Sequence, residues 1–288
     1  MTTLLGILIL GTILGSIYSL IAVGFSLIFG VAGIINLSHG SFYMLGAYLA
    51  YTFMTVIGIN VPLSALMAVA FTALIGMAVD RFCIKPMRER LVYVLIITLA
   101  LAYFFQELVW VFYGSYGKSV ESFVAGKVSL GQVDVSYQKV LTLFVSAFAV
   151  TLLWFFIKKT KTGKSVAAVA QNKDAAILMG IQYERVYLMT MAISAGLAAV
   201  AGVFIAPELE AVPGMWTFAL FKAFAIVIIG GLGSIEGAVV AAMLLGYAET
   251  SVSILLSPNY TDMVYLLATI LILVVRPTGL MSKSLAYK

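Results

Sequence analysis

The run Lys158–Arg185, K-K-T-K-T-G-K-S-V-A-A-V-A-Q-N-K-D-A-A-I-L-M-G-I-Q-Y-E-R, decides how the rest of the chain is read. It is a sizeable polar, basic island in a chain that is otherwise close to continuous hydrocarbon, and the apolar runs on either side are long enough to cross a bilayer. Lys158, Lys159, Lys161 and Lys164 follow directly on the apolar run that ends at Ile157, the position juxtamembrane cations take on the cytoplasmic side. From Ser165 the residues become helix formers, and Ala168, Gln171, Ala175 and Met179 recur at three-to-four spacing up to a stop at Gly180. The pattern predicts a short cytoplasmic helix, tethered between two spans, that can press into a groove on another subunit. The plainer alternative is a solvated connecting loop.

Working outward, 63% of the residues are hydrophobic and 10% charged, far from the balance of soluble domains. The expected fold class is all-α, a polytopic integral membrane protein formed as one domain over residues 1–288. The first formally charged side chain is Asp80, so the block before it has room for about three spans. Leu4–Phe29 is longer than a signal-peptide core and lacks a basic leader, so it reads as the first span. Further apolar runs are Phe42–Ile57, Val61–Val79, Leu91–Tyr113, Val140–Ile157, Val186–Ala206, Trp216–Ile229, Ile235–Leu256 and Met263–Val275. Several are short, giving about eight to ten membrane segments.

Orientation follows from the cations. Asp80–Arg90 carries Arg81, Lys85, Arg88 and Arg90, and the tail carries Arg276, Lys283 and Lys288; together with the lysine island these belong inside. Residues 114–139 then lie outside. The alternation of Val120, Phe123, Val128, Leu130, Val133 and Val135, interrupted at Ala125-Gly126, predicts a small external hairpin there. The net charge of +5 is thus a positive-inside bias, and nucleic acid is not needed as a partner. One cysteine, Cys83, and one histidine, His39, leave no internal disulfide and none of the usual ligand sets for a metal.

Two glycine-punctuated turns interrupt the apolar runs. In Gly30–Gly40 (G-V-A-G-I-I-N-L-S-H-G), Asn36, Ser38, His39 and Gly40 sit where a span ends or breaks, as expected of a broken helix beside a translocation path. The second, Gly230–Gly237 (G-G-L-G-S-I-E-G), offers Gly231, Gly233, Glu236 and Gly237. Gly33 to Gly40 and Gly230 to Gly237 share one spacing, which suggests an internal duplication. Close helix packing is the competing explanation, since Gly11-x-x-x-Gly15 and Gly233-x-x-x-Gly237 have the small-x-x-x-small form, and a lone His39 is as readily a satisfied interior histidine. The intramembrane charges are Glu107, Lys222 and Glu249; Lys222 and Glu249 flank the second turn and are candidates to pair.

The segments Gly30–Tyr48, Thr162–Ile181, Phe221–Ala238 with Gly246–Glu249, and the R-P-T-G-L of Arg276–Leu280 together resemble the permease subunits of branched-chain amino acid ABC importers, and within them the shorter, LivH-like permease. The resemblance covers nearly the whole chain in the same order. It implies a multi-pass protein of the cell (inner) membrane that forms a pore with a longer, LivM-like permease. It also implies two cytoplasmic ATPase subunits, which bind the ATP and Mg so that this chain carries no cofactor and no catalytic residue, and an external solute-binding protein. By similarity Lys164, Asn172, Asp174 and Gly180 fall in the stretch that meets the ATPase. Related permeases for urea, short amides or other amino acids share these motifs. An ion-coupled secondary transporter would want acidic groups in several spans, and an intramembrane hydrolase would want H-E-x-x-H or G-x-S-x-G, neither of which occurs.

Overall fold

In the computed structural model, which describes residues 2–130 and 133–281, eleven α-helices and one small hairpin follow in the order α1 (Thr2–Ala32), α2 (His39–Tyr51), α3 (Val61–Val79), α4 (Leu91–Tyr113), β1 (Lys127–Leu130), β2 (Val133–Ser136), α5 (Tyr137–Lys159), α6 (Lys161–Gln171), α7 (Lys173–Leu178), α8 (Tyr183–Leu209), α9 (Met215–Gly230), α10 (Ile235–Leu255) and α11 (Thr261–Val275). Seven of them are long and apolar enough to cross a membrane: α1, α3, α4, α5, α8, α10 and α11, the third extended by its continuation to Met87 and the last by the turn from Pro258. Two shorter helices, α2 and α9, complete the bundle. Lys283 and Lys288 lie outside the described residues.

The bundle has two chemically distinct ends. At one, Lys85 and Arg88 meet Glu184, Lys158 meets Glu236, and the segment after α11 lies against the end of α9. At the other, Lys118 bridges to Ala211 through paired backbone hydrogen bonds of 2.9 Å, and β2 and the start of α5 are tied to α8 through Ser136 and Lys139, both on Glu208. The first end gathers the basic loops, where the positive-inside bias expects the cytoplasm, and is called the cytoplasmic end for that reason. The expected hairpin is present, pairing Lys127 with Ser136 and Val128 with Val135.

At the centre α1 packs between α8 and α10, and α2 packs on α8; small residues let their backbones approach. Gly246 on α10 lies so near α1 that a Cβ there would stand 2.5 Å from the Gly15 nitrogen. A Cβ at Gly202 on α8 would stand 1.9 Å from the Tyr43 carbonyl of α2. In lipid, where apolar burial gains little, such close contact is what holds helices together. α8 is buried nearly all round, whereas α11 buries no residue fully, and its outer face carries Leu266, Leu267, Ile270 and Leu271.

Two expectations about elements need correction. The island Ser165–Met179 is not one helix but two, because Asn172 takes an extended backbone (φ −157°, ψ 107°) and its side chain accepts from the Ala175 N–H at 2.9 Å, capping α7. The face turned to the bundle is Gly163, Val166, Val169 and Ala176, which leaves Gln171, Ala175 and Met179 exposed. The duplication suggested by Gly33–Gly40 and Gly230–Gly237 is not reproduced either: the first stretch is unwound chain leading into α2, the second a tight turn between α9 and α10, although the two meet where Gly30 lies against Gly233.

Candidate functional site

α1 descends from the external to the cytoplasmic end, and at Gly33 (φ +65°) the chain turns back into the bundle. Residues 33–37 are not helical, and side chains satisfy part of their polar groups. The Asn36 side-chain oxygen accepts from the Ser38 N–H (3.0 Å) and hydroxyl (2.7 Å), its amide nitrogen donates to Met191 Sδ (3.7 Å), and the Leu37 N–H donates to Thr98 Oγ1 (3.2 Å). α2 then starts inside the bundle. His39 is fully enclosed and its Nε2–H donates to the Ile21 carbonyl at 3.0 Å; Nδ1 therefore accepts from Ser194 Oγ at 3.1 Å. Ile21 lies about 16 Å up from the inner end of α1 at the helical rise per residue, so this crossing is half extended chain and half helix. Both nitrogens of His39 are thus engaged in holding α2 against α1 and α8.

A second break was not anticipated from sequence. α8 contains Pro207 and ends at Leu209, and Glu210 follows with φ +57° and ψ 147°, a positive φ that side chains other than glycine rarely adopt. Ala211 pairs with the external Lys118 and accepts from Tyr48 Oη at 2.9 Å. From there residues 212–214 descend, and α9 begins deep enough that a Cβ on Gly40 would stand 2.3 Å from the Trp216 carbonyl. α9 then runs 16 residues to the cytoplasmic end. The two breaks therefore face each other with opposite sense: α1–break–α2 enters from inside, and α8–break–α9 enters from outside. At the outer one a cleft is lined by Gln106, Trp110, Ser115, Val212, Pro213 and Gly214, and Gln106 Oε1 accepts from Trp216 Nε1 at 2.5 Å.

The sequence-selected turn at Gly231, Gly233, Glu236 and Gly237 joins α9 to α10 and lies against the inner end of α1, where a Cβ on Gly30 would stand 3.2 Å from the Gly233 carbonyl. Gly231 (φ +103°) and Gly233 (φ +79°) shape it, and Ser234 caps α10 through the Gly237 N–H at 3.0 Å. Glu236 is exposed and pairs with Lys158 at 3.6 Å. The R-P-T-G-L stretch closes the same corner: the Leu280 and Met281 N–H groups donate to the Ile229 and Gly230 carbonyls at 2.8 and 3.0 Å, satisfying the last turn of α9.

Lys222 and Glu249 meet within the bundle, Nζ to Oε2 at 2.8 Å. Tyr18 joins them: its hydroxyl donates to the same carboxylate oxygen at 2.7 Å and accepts from Lys222. All three are buried, so α1, α9 and α10 are pinned at one depth. Breaking one partner of such a pair strands a charge at a cost of about 3–5 kcal/mol, whereas apolar replacement of both is close to neutral. Glu107 by contrast is exposed on α4, about two turns from its outer end.

In the cytoplasmic segment, Thr160 caps α6 through the Gly163 N–H (2.9 Å), Asn172 caps α7, and Gly180 (φ +81°) ends it with the Ile181 N–H returning to the Ala176 carbonyl at 3.1 Å. Lys164 and Asp174 are exposed. So are Leu178 and Met179, at 87% and 83%.

The family model described as branched-chain amino acid transport system / permease component matches residues 7–275. The chain belongs to this family. Among individual relatives it is 33% identical to the high-affinity branched-chain amino acid transport system permease protein BraD of Pseudomonas aeruginosa, over 96% of this chain and 95% of that one. It is 32% identical to the high-affinity branched-chain amino acid transport system permease protein LivH of Escherichia coli, over 95% and 94%. In fold alone it is similar to PsaBC from Streptococcus pneumoniae, solved in complex with Fab, with a TM-score of 0.55 at 11% identity over 94% of this chain and 92% of that one. This permease is accordingly a multi-pass protein of the cell (inner) membrane.

Proposed function

We propose that the chain is one of two membrane subunits of an ATP-driven importer of branched-chain amino acids. A longer, LivM-like permease supplies the other half of the pore, two cytoplasmic ATPases bind ATP and Mg, and an external binding protein delivers the solute. This chain contributes no catalytic group to that cycle. The observation that carries the reading is the α6–α7 segment: its buried face is anchored on the bundle while Leu178 and Met179 are left exposed. Each such side chain gains about 1.5–3 kcal/mol on burial, so the segment is an apolar anchor for a groove on a cytoplasmic subunit. When nucleotide binding draws the ATPases together, α6–α7 follows as a rigid lever, and the bundle moves between states open to either side. The two oppositely directed breaks are where short helices and extended chain can change their packing without unravelling a full span.

The test is to purify the transporter with its genomically neighbouring subunits and compare Leu178→Asp/Met179→Asp with the parent. The variant should insert normally but lose the co-purifying ATPases and the uptake of radiolabelled leucine. Retained ATPases and uptake would reduce the segment to a connector, and parent uptake of urea in preference to leucine would overturn the solute.

A further inference from the structure

Beneath the cytoplasmic segment lies a cluster that the transport reading does not use. α3 runs into a π-helical turn, Asp80–Ile84, and a 3₁₀ turn, Lys85–Met87, which bring Arg88 back under the bundle. The Arg88 side chain is 9% exposed, donates to Asp80 Oδ1 at 2.8 Å, and lies 3.5 Å from Glu184 Oε2. Its guanidinium carbon stands 3.3 Å above the Tyr187 ring and 5.7 Å from that of Tyr183. Tyr183 packs edge-on against Tyr187 at 5.5 Å, and Lys173 of α7 sits over the Tyr183 ring at 4.3 Å. One guanidinium thus joins the end of α3 to the first two turns of α8, and the same aromatic pair receives α7.

The path continues inward. Tyr187 and Met191, one turn apart on α8, line with Ile28, Val31, Ala32 and Thr190 an apolar crevice with no room for a water molecule. Met191 Sδ in turn accepts from Asn36 in the first break. Arg88 Nε and Tyr187 Oη are buried without a hydrogen-bond partner. A planar cation stacked on a ring, with donors unspent, fixes position more than it adds stability, because apolar side chains would fill the same place at little cost.

We propose that Arg88 is a positioning residue for coupling: it clamps α3 to α8 so that displacement of α7 moves Tyr187, Met191 and the break at Asn36 as one body. The proposal rests on the reading that α6–α7 receives the ATPases. It is tested on the complete transporter in proteoliposomes, by measuring leucine taken up per ATP hydrolysed. The double replacement Arg88→Met/Asp80→Asn removes the charge pair without stranding either member, so the complex should still assemble. Uptake per ATP should fall roughly three- to thirty-fold, and Arg88→Lys, which keeps the charge but not the planar stack, should recover only part of it. Unchanged uptake per ATP in the double variant would overturn the proposal, and so would failure of both variants to assemble, since the cluster would then be a folding element. A separate arm, Leu178→Asp, keeps the two readings distinguishable. Retained ATPases there would defeat the docking reading and leave the Arg88 ratio to be judged by itself.

Discussion

The two broken crossings solve one problem in opposite ways. At residues 33–38 the backbone leaves the helix deep in the bundle, and side chains close around it: Asn36 folds onto Ser38, Thr98 receives the Leu37 N–H, and His39 spans from Ile21 to Ser194. At residues 210–214 few side chains help. The chain leaves α8 through the unfavourable φ of Glu210, pairs its backbone with Lys118, and drops between Val212 and Gly214 beside an open cleft. The first break is held by satisfied polar groups and the second by imposed geometry. A break facing lipid-depth protein must be self-sufficient in hydrogen bonds, whereas one reached from the aqueous side can lean on a neighbouring strand and on water.

The contrast can be broken most severely where the two meet. Gly40→Leu puts a side chain against the Trp216 carbonyl, and because the obstacle is backbone, the loss should exceed about 4 kcal/mol. No folded permease should be recovered from membranes, and normal yield would mean the halves are not in contact. Asn36→Leu tests the self-sufficient break alone. It leaves the Ser38 N–H and hydroxyl without their acceptor in a buried site, for about 1–3 kcal/mol, seen as a melting temperature lower by several degrees in detergent. Smallest and of opposite sign is Glu210→Gly. It relieves the positive φ and should raise stability by about 1 kcal/mol, or roughly 2–4 °C. A lower melting temperature there would show that the Glu210 side chain, not backbone strain, shapes the second break.

How much of this was visible in the chain depends on where polarity stands against its background. N-L-S-H between apolar runs marks the first break because three of its four residues, Asn36, Ser38 and His39, have no business in hydrocarbon unless enclosed. P-E-L-E-A-V-P-G (Pro207–Gly214) carries stop signals just as plainly, but proline, glycine and acid at the end of a span also describe any external loop. Its depth is set by α9 packing beside Gly40, which is a tertiary fact. Likewise Lys222 and Glu249 invited pairing because each is costly alone, whereas Tyr18 was indistinguishable from any span tyrosine until the helices were placed. Arg88 read as one more cation of a positive-inside loop, and only the π-helical continuation of α3 carries it under Tyr187. In the cytoplasmic island the helix formers were legible, but the capping preference of Asn172 outweighed alanine propensity and divided them.

The strap at Leu280 and Met281, which satisfies the last carbonyls of α9, has a consequence for biogenesis. Those carbonyls emerge from the ribosome long before the residues that bind them, with α10 and α11 made in between. During that interval the inner corner of the bundle is open, and α9 is held only by contacts along its side. Closing the corner is therefore a late step of assembly, one that a chain released early would never reach. A quality-control protease at the cytoplasmic face would find in that open corner a direct mark of an unfinished permease.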